Sequence, residues 1–139
     1  SGNKNQFTFP KTLVPDFDFS FSGIKTALLY LTQRQPEIIV NNREDLCASY
    51  LEAICDMLID KFEKAIKHYK PKTIGLAGGV SANARLRMRT SELAVKSKTP
   101  LQLLPMTLCT DNAAMIAQAA YFKYISGRFD ALDSTSSAR

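Results

Sequence analysis

From Phe17 to Ser22 apolar and polar side chains alternate, with Phe17, Phe19 and Phe21 on one face and Asp18, Ser20 and Ser22 on the other. That is the period of a half-buried strand, and Gly23 is expected to end it. The period then lengthens. Ile24, Ala27, Leu28 and Leu31 share one side of a predicted helix over 24–33, and Pro36 closes that unit. Leu46, Tyr50, Ala53, Ile54, Met57, Leu58, Phe62, Ala65, Ile66 and Tyr69 recur at helical spacing and predict one long helix over 43–69. Asn41 followed by Glu44 reads as its capping box. Glu52, Asp56, Asp60 and Lys64 form the opposite stripe, expected to face solvent, with Asp60–Lys64 and Glu63–Lys67 as i,i+4 pairs.

Beyond the long helix the elements shorten and alternate. Residues 73–77 predict a strand, and Ser81 is placed to cap a helix running to Val95. Residues 101–104 predict a second strand, stopped by Pro105. Thr110 is expected to cap a last helix over 111–126, with Gly127 just past its end. Helix–strand–helix–strand–helix is the order of an α/β fold, here a short parallel sheet flanked by helices. Leu46, Ile54, Leu58, Phe62, Ile74, Leu76, Leu103, Ile116 and Ala120 are the expected inner residues. The chain divides into an irregular lead-in over 1–15 with Pro10 and Pro15, a folded unit over 16–128, and a Ser-rich tail over 129–139 expected to be disordered.

Composition narrows this picture only a little. A length of 139 residues suits one domain, large enough for a core but small for a two-lobed enzyme. No apolar run approaches the ~18–20 residues that span a bilayer, and no basic, apolar leader opens the chain. No membrane partner is expected, and the cytoplasm is the expected location. Cys47 and Cys55, on one helix, would lie roughly 12 Å apart along its axis, too far for a disulfide. Reduced thiols are expected. A net charge of +5 is compatible with a nucleic-acid partner, but the basic residues are dispersed, and a solvated surface accounts for them equally well.

The chemistry-bearing stretch is Leu76-Ala77-Gly78-Gly79-Val80-Ser81-Ala82-Asn83-Ala84-Arg85-Leu86-Arg87. It reads as a strand, a diglycine turn and a helix start. At Gly78 and Gly79 no Cβ keeps a phosphate or nucleotide off the backbone. Asn83 offers both an amide donor and a carbonyl acceptor to a base edge or ribose. The same residues would serve a tight strand-to-helix turn in any α/β protein. A second junction, Cys109-Thr110-Asp111-Asn112-Ala113-Ala114-Met115-Ile116-Ala117, follows the second predicted strand. An aspartate there also suits the positive end of a helix, with ~0.3–1 kcal/mol of stabilisation and no further role.

Together with Phe19-Ser20-Phe21-Ser22-Gly23-Ile24-Lys25-Thr26 upstream, the two junctions resemble, in order, the motifs of the catalytic subunit of the tRNA threonylcarbamoyl-adenosine synthase. That family was formerly labelled O-sialoglycoprotein endopeptidase and has the actin-like, sugar-kinase-like ATPase fold. The similarity covers about 7–127. The family's paired-histidine metal motif and Ser-Gly-Gly phosphate loop have no counterpart here, so the chain resembles a C-terminal fragment, expected to be folded but inactive alone. The resemblance implies transfer of a threonylcarbamoyl group from threonylcarbamoyl-AMP to the amine of the adenosine next to the anticodon of tRNA. It implies a nucleotide contact at Gly78, Gly79 and Asn83, with threonylcarbamoyl-AMP or an ATP-like nucleotide as ligand. It aligns Asp111 with a ligand of one divalent metal, iron or zinc, completed by residues outside this chain. Partner subunits of the synthase are implied as well.

No residue here reads as a catalytic base or nucleophile. Ser20, Ser22, Gly23 and Lys25 belong to the family motif without an assignable role. Arg85, Arg87 and Arg89 are expected to be solvated, since 87 lies well round the helix from 85 and 89. His68, the only histidine, is expected at the surface of a helix end, and Cys109 as a small buried hydrophobe. Three rivals stand beside the transferase: another phosphotransferase of the actin-like fold, the old metalloendopeptidase, and a non-catalytic module that binds a nucleotide or a partner.

Overall fold

The long helix predicted over 43–69 is α3, Arg43–Tyr69, the beam on which the rest is built. A computed structural model of the chain describes residues 2–11 and 14–135. Before α3 come α1 (Ser22–Arg34) and the short α2 (Ile38–Asn41); after it come β1 (Ile74–Leu76), α4 (Ala84–Ser97), β2 (Leu101–Leu103) and α5 (Ala113–Ile125). Single 3-10 turns lie at Gly79–Ala82 and Met106–Leu108. The strands pair in parallel, Ile74 opposite Leu101 and Leu76 opposite Leu103, as an α/β order requires. No helix among the described residues is long and apolar enough to cross a membrane.

Two hydrophobic clusters lie against α3. Phe9, Ile24, Ile38, Leu46 and Met57 join the lead-in segment, α1 and α2 to it. Cys55, Ile59, Ile66, Ile74, Leu86, Leu93 and Ala94 join it to β1 and α4. Cys55 and Met57 are only two residues apart but serve different clusters, so α3 is covered on two sides. Burying a side chain such as Leu93 or Ile59 contributes about 1.5–3 kcal/mol, which makes these contacts the main source of stability.

Polar groups of α3 also hold the lead-in segment. The buried Ser49 hydroxyl accepts from the Phe7 N–H at 3.1 Å and donates to the Asn3 carbonyl at 3.2 Å. Lys61 Nζ donates to the carbonyls of Val14 and Asp16, both at 2.6 Å. Residues 2–11 and 14–21 therefore contain no helix or strand, yet they are docked.

Several local expectations are corrected. Phe17–Ser22 is not a strand: the segment pairs with no strand among the described residues, and Ser22 already opens α1. Phe17 instead lies against His68 and Tyr69, while the Phe19 and Phe21 rings stack 6.1 Å apart. Asn41 ends α2 rather than capping α3; the N-cap is Asn42, without a side-chain cap bond. Asp60 pairs with Lys11 rather than Lys64, whereas Glu63–Lys67 forms at 2.8 Å. Ile116 and Ala120, expected inside, are exposed, because no residue of α5 is buried. The expected disorder of the tail falls partly on residues 136–139, which lie outside the described residues along with Ser1, Thr12 and Leu13.

Candidate nucleotide and metal-ligand site

Parallel pairing decides where the two junctions lie. The loop after β1 carries Gly78, Gly79 and Asn83, and the loop after β2 carries Asp111. Both leave the carboxyl ends of neighbouring strands, so both lie on one edge of the sheet. In open α/β sheets that edge is where ligands bind.

Gly78 has φ +85°, a conformation an L side chain adopts only under strain. A Cβ placed on Gly78 or Gly79 would meet nothing within 4 Å, so open space lies over the diglycine. The chain then tightens into the 3-10 turn, with the Ser81 N–H on the Gly78 carbonyl at 2.9 Å. The N–H groups of Gly79 and Val80 precede that first bond and so have no partner within the turn. Ser81 is not a helix cap. It is 1% exposed inside the turn, and its hydroxyl has no partner among the described residues.

Asn83 takes the capping role expected of Ser81. Its Oδ1 accepts from the Leu86 N–H at 3.0 Å, and its own backbone is extended, as an N-cap requires. The acceptor end is thus used by the fold, whereas the Nδ2 donor has no protein acceptor among the described residues. In the second loop Asn112, not Thr110, is the cap: its Oδ1 accepts from Met115 N–H at 3.0 Å and its Nδ2 donates to the Thr110 carbonyl at 2.9 Å. Asp111 therefore sits just outside α5, exposed, with no hydrogen bond or ion pair to its carboxylate among the described residues. Its carboxylate is thus not used by the fold among the described residues. It is not a metal site alone, and the described residues hold no group of three His, Cys, Asp or Glu side chains able to bind one.

The arginines overturn their expected solvation. Arg85 makes a two-pronged contact with Glu52, Nε to Oε2 and Nη2 to Oε1, both at 2.6 Å. Arg89 bridges Glu52 Oε1 at 2.6 Å and Asp56 Oδ1 at 2.8 Å. These bonds tie α4 to α3, and the Arg85 guanidinium draws the Glu52 carboxyl down to about 2. Glu52 and Asp56 accordingly are not a solvated stripe. Arg87 points to the other side, onto the two loops. The only sequence signal for these arginines was their spacing, two on one face and one off it. Lys25 is exposed with no side-chain bond among the described residues, and Cys109 is buried as expected, at 2% exposure.

A glycine-opened loop and an exposed carboxylate follow neighbouring strands of a short parallel sheet, the arrangement of an α/β fold. The chain belongs to the TsaD family, described as tRNA N6-adenosine threonylcarbamoyltransferase, whose profile residues 1–118 match. Proteins of that name are similar along nearly all of the chain: 44% identical in Bdellovibrio bacteriovorus over 96% of this chain, and 42% in Riemerella anatipestifer over all of it. One from Dehalococcoides mccartyi is 47% identical over 89% of this chain. The chain spans about two-fifths of the length of these relatives, between 36% and 42% of each.

Proposed function

We propose that this chain supplies the C-terminal part of an acyltransferase that moves a threonylcarbamoyl group from threonylcarbamoyl-AMP to the exocyclic amine of the adenosine beside the anticodon of tRNA. The observation that carries this reading is the placement of Gly78, Gly79, Asn83 and Asp111 on one edge of the sheet, in a chain whose relatives bear that enzyme's name. The open backbone at Gly78–Gly79 takes the phosphate of the adenylate. Asn83 Nδ2 donates to its nucleoside, held in direction by the cap bond at the other end of the amide. Asp111 gives one ligand to a divalent metal, iron or zinc, and two histidines from polypeptide outside these residues complete the set.

When bound, that ion polarises the donor carbonyl and neutralises charge in the transition state. The tRNA amine forms the new C–N bond to the carbonyl carbon, the acyl–oxygen bond to AMP breaks, and the amine proton leaves to solvent. This chain's share is positioning, so no residue in it need act as nucleophile or base. The setting is the cytoplasm, with tRNA and the other subunits of the synthase as partners.

The rival phosphotransferase would not carry Thr110-Asp111-Asn112-Ala113, and the peptidase needs a general base near its metal, which would have to come from polypeptide outside these residues. The test uses the complete enzyme with unmodified tRNA and threonylcarbamoyl-AMP. Transfer to tRNA that is abolished by Asp111→Ala supports the reading; peptide hydrolysis or phosphoryl transfer without it sinks the reading.

A further inference from the structure

Arg87 is the one arginine of α4's first turns not committed to α3. Its Nη2 donates to the Leu104 carbonyl at 3.0 Å, and its Nη1 donates to the Ser81 carbonyl at 3.1 Å. Nη1 also lies 3.7 Å from Cys109 Sγ, and that buried thiol in turn contacts the Pro105 carbonyl at 3.4 Å. Ser81 belongs to the turn between Gly78 and Asn83; Leu104, Pro105 and Cys109 belong to the loop leading to Asp111. One guanidinium therefore spans both loops of the site.

The strands beneath are each only three residues long, and the bonds from Arg87 tie the two loops beyond the end of that short ladder. A guanidinium is planar, and its donors keep a fixed separation, so two carbonyls bonded to one fork are held at a set distance. No carboxylate among the described residues pairs with Arg87, so its donors are spent on backbone groups of the two loops. Lysine has a single nitrogen on a flexible stem, so even where it reaches two carbonyls it does not hold them at a set separation.

We infer that Arg87 is a positioning residue: it locks the diglycine loop to the loop carrying Asp111, so that filling the first restrains the second. This rests on the nucleotide reading of Gly78, Gly79 and Asn83. Arg87 does not itself touch substrate. The coupling passes through the Ser81 and Leu104 carbonyls and the buried Cys109.

Amide hydrogen exchange on the complete enzyme, with and without ATP, tests the inference in the unaltered protein, Arg87→Lys and Arg87→Met. In the unaltered protein ATP slows exchange over 78–83 directly and over 104–109 by transmission. In both variants the protection at 78–83 persists, the protection at 104–109 is lost, and exchange at 104–109 without ligand is faster than in the unaltered protein. Turnover then falls by up to about 10²-fold, mostly in kcat, as misplacement of a reacting group predicts. Transmitted protection that survives in Arg87→Lys overturns the inference while leaving nucleotide binding intact. Absence of any ATP effect at 78–83 in the unaltered enzyme overturns the nucleotide reading instead. Arg87 is then judged on ligand-free exchange at 104–109, and a rate in Arg87→Lys equal to that of the unaltered enzyme removes it as a strut. If Arg87→Met does not fold, Arg87→Lys carries the same comparison.

Discussion

Asn83 has two ends with two duties, and substitution can separate them. Asn83→Ala removes the cap bond to Leu86 and is expected to cost about 0.5–2 kcal/mol of stability, beyond any loss of ligand. Asn83→Asp keeps an oxygen for the cap but replaces the Nδ2 donor with negative charge. It should retain the melting temperature and lose nucleotide affinity. Thermal unfolding beside calorimetric titration with ATP reads both effects, and unchanged affinity in Asn83→Asp removes the donor role. Asp111 is the opposite case, since its exposed carboxylate makes no bond among the described residues and acts on the fold only through the nearby start of α5. Asp111→Ala should leave stability within about 0.5 kcal/mol, as for a surface change, while the complete enzyme loses most of its metal. Elemental analysis decides, and metal content equal to the unaltered enzyme's leaves Asp111 without that role. The residue types at both positions were legible in the sequence as candidates. That Asn83 and Asn112, rather than Ser81 and Thr110, cap the two helices was not, because several polar residues in each loop can cap and only the loop's path selects one.

Between elements, the contact that most needs its polar groups is α3 against α4. Glu52 receives Arg85 and Arg89 together, and its side chain is 13% exposed. Glu52→Gln leaves two guanidiniums facing a neutral amide and is expected to cost about 1–3 kcal/mol, less than for a fully buried pair because both arginines reach solvent. The pH dependence has a definite sign. Pairing with Arg85 lowers the Glu52 carboxyl in the folded state to about 2, so its contribution is full above the unfolded value near 4.5 and is lost as pH falls toward 2. Denaturant melts of the unaltered chain and Glu52→Gln should therefore differ most at pH 6, and the gap should narrow steadily as pH falls from 4.5 toward 2. A gap that stays constant over that range would rule out the linkage. Helix α5 presents a different case at this scale. Its ends are well made: Asn112 caps the start, and at the other end Gly127 at φ +65° turns the chain so that Arg128 N–H meets the Lys123 carbonyl and Gly127 N–H meets that of Tyr124. Its body has no buried residue. A 13-residue helix without tertiary packing is marginal in water, so amides of 113–125 in the 139-residue chain should exchange much faster than those of α4. Equal protection in the two helices refutes this.

Across the whole molecule, Ile116, Tyr121, Phe122, Tyr124 and Ile125 of α5 are all exposed, and a helix apolar on every side is built for burial. The 139-residue chain taken alone is therefore expected to self-associate with rising concentration despite its net charge of +5, and sedimentation velocity from micromolar upward checks this. A monomer at every concentration contradicts it. The periodicity along the chain by itself determined α1, α3, α4, α5 and the two strands to within a few residues, because amphipathic period and turn residues are local properties. The two motif-bearing loops were legible for the same reason. Burial of α5 was misjudged from an equally local signal, since apolar character states a preference for cover and does not supply it. Only the tertiary structure decided which polar groups meet. Glu52 finds Arg85 and Arg89 across 33 and 37 residues, and Arg87 finds Leu104 across 17. No period records such pairings: they depend on how α4 lies against α3 and on parallel strands delivering both loops to the same edge.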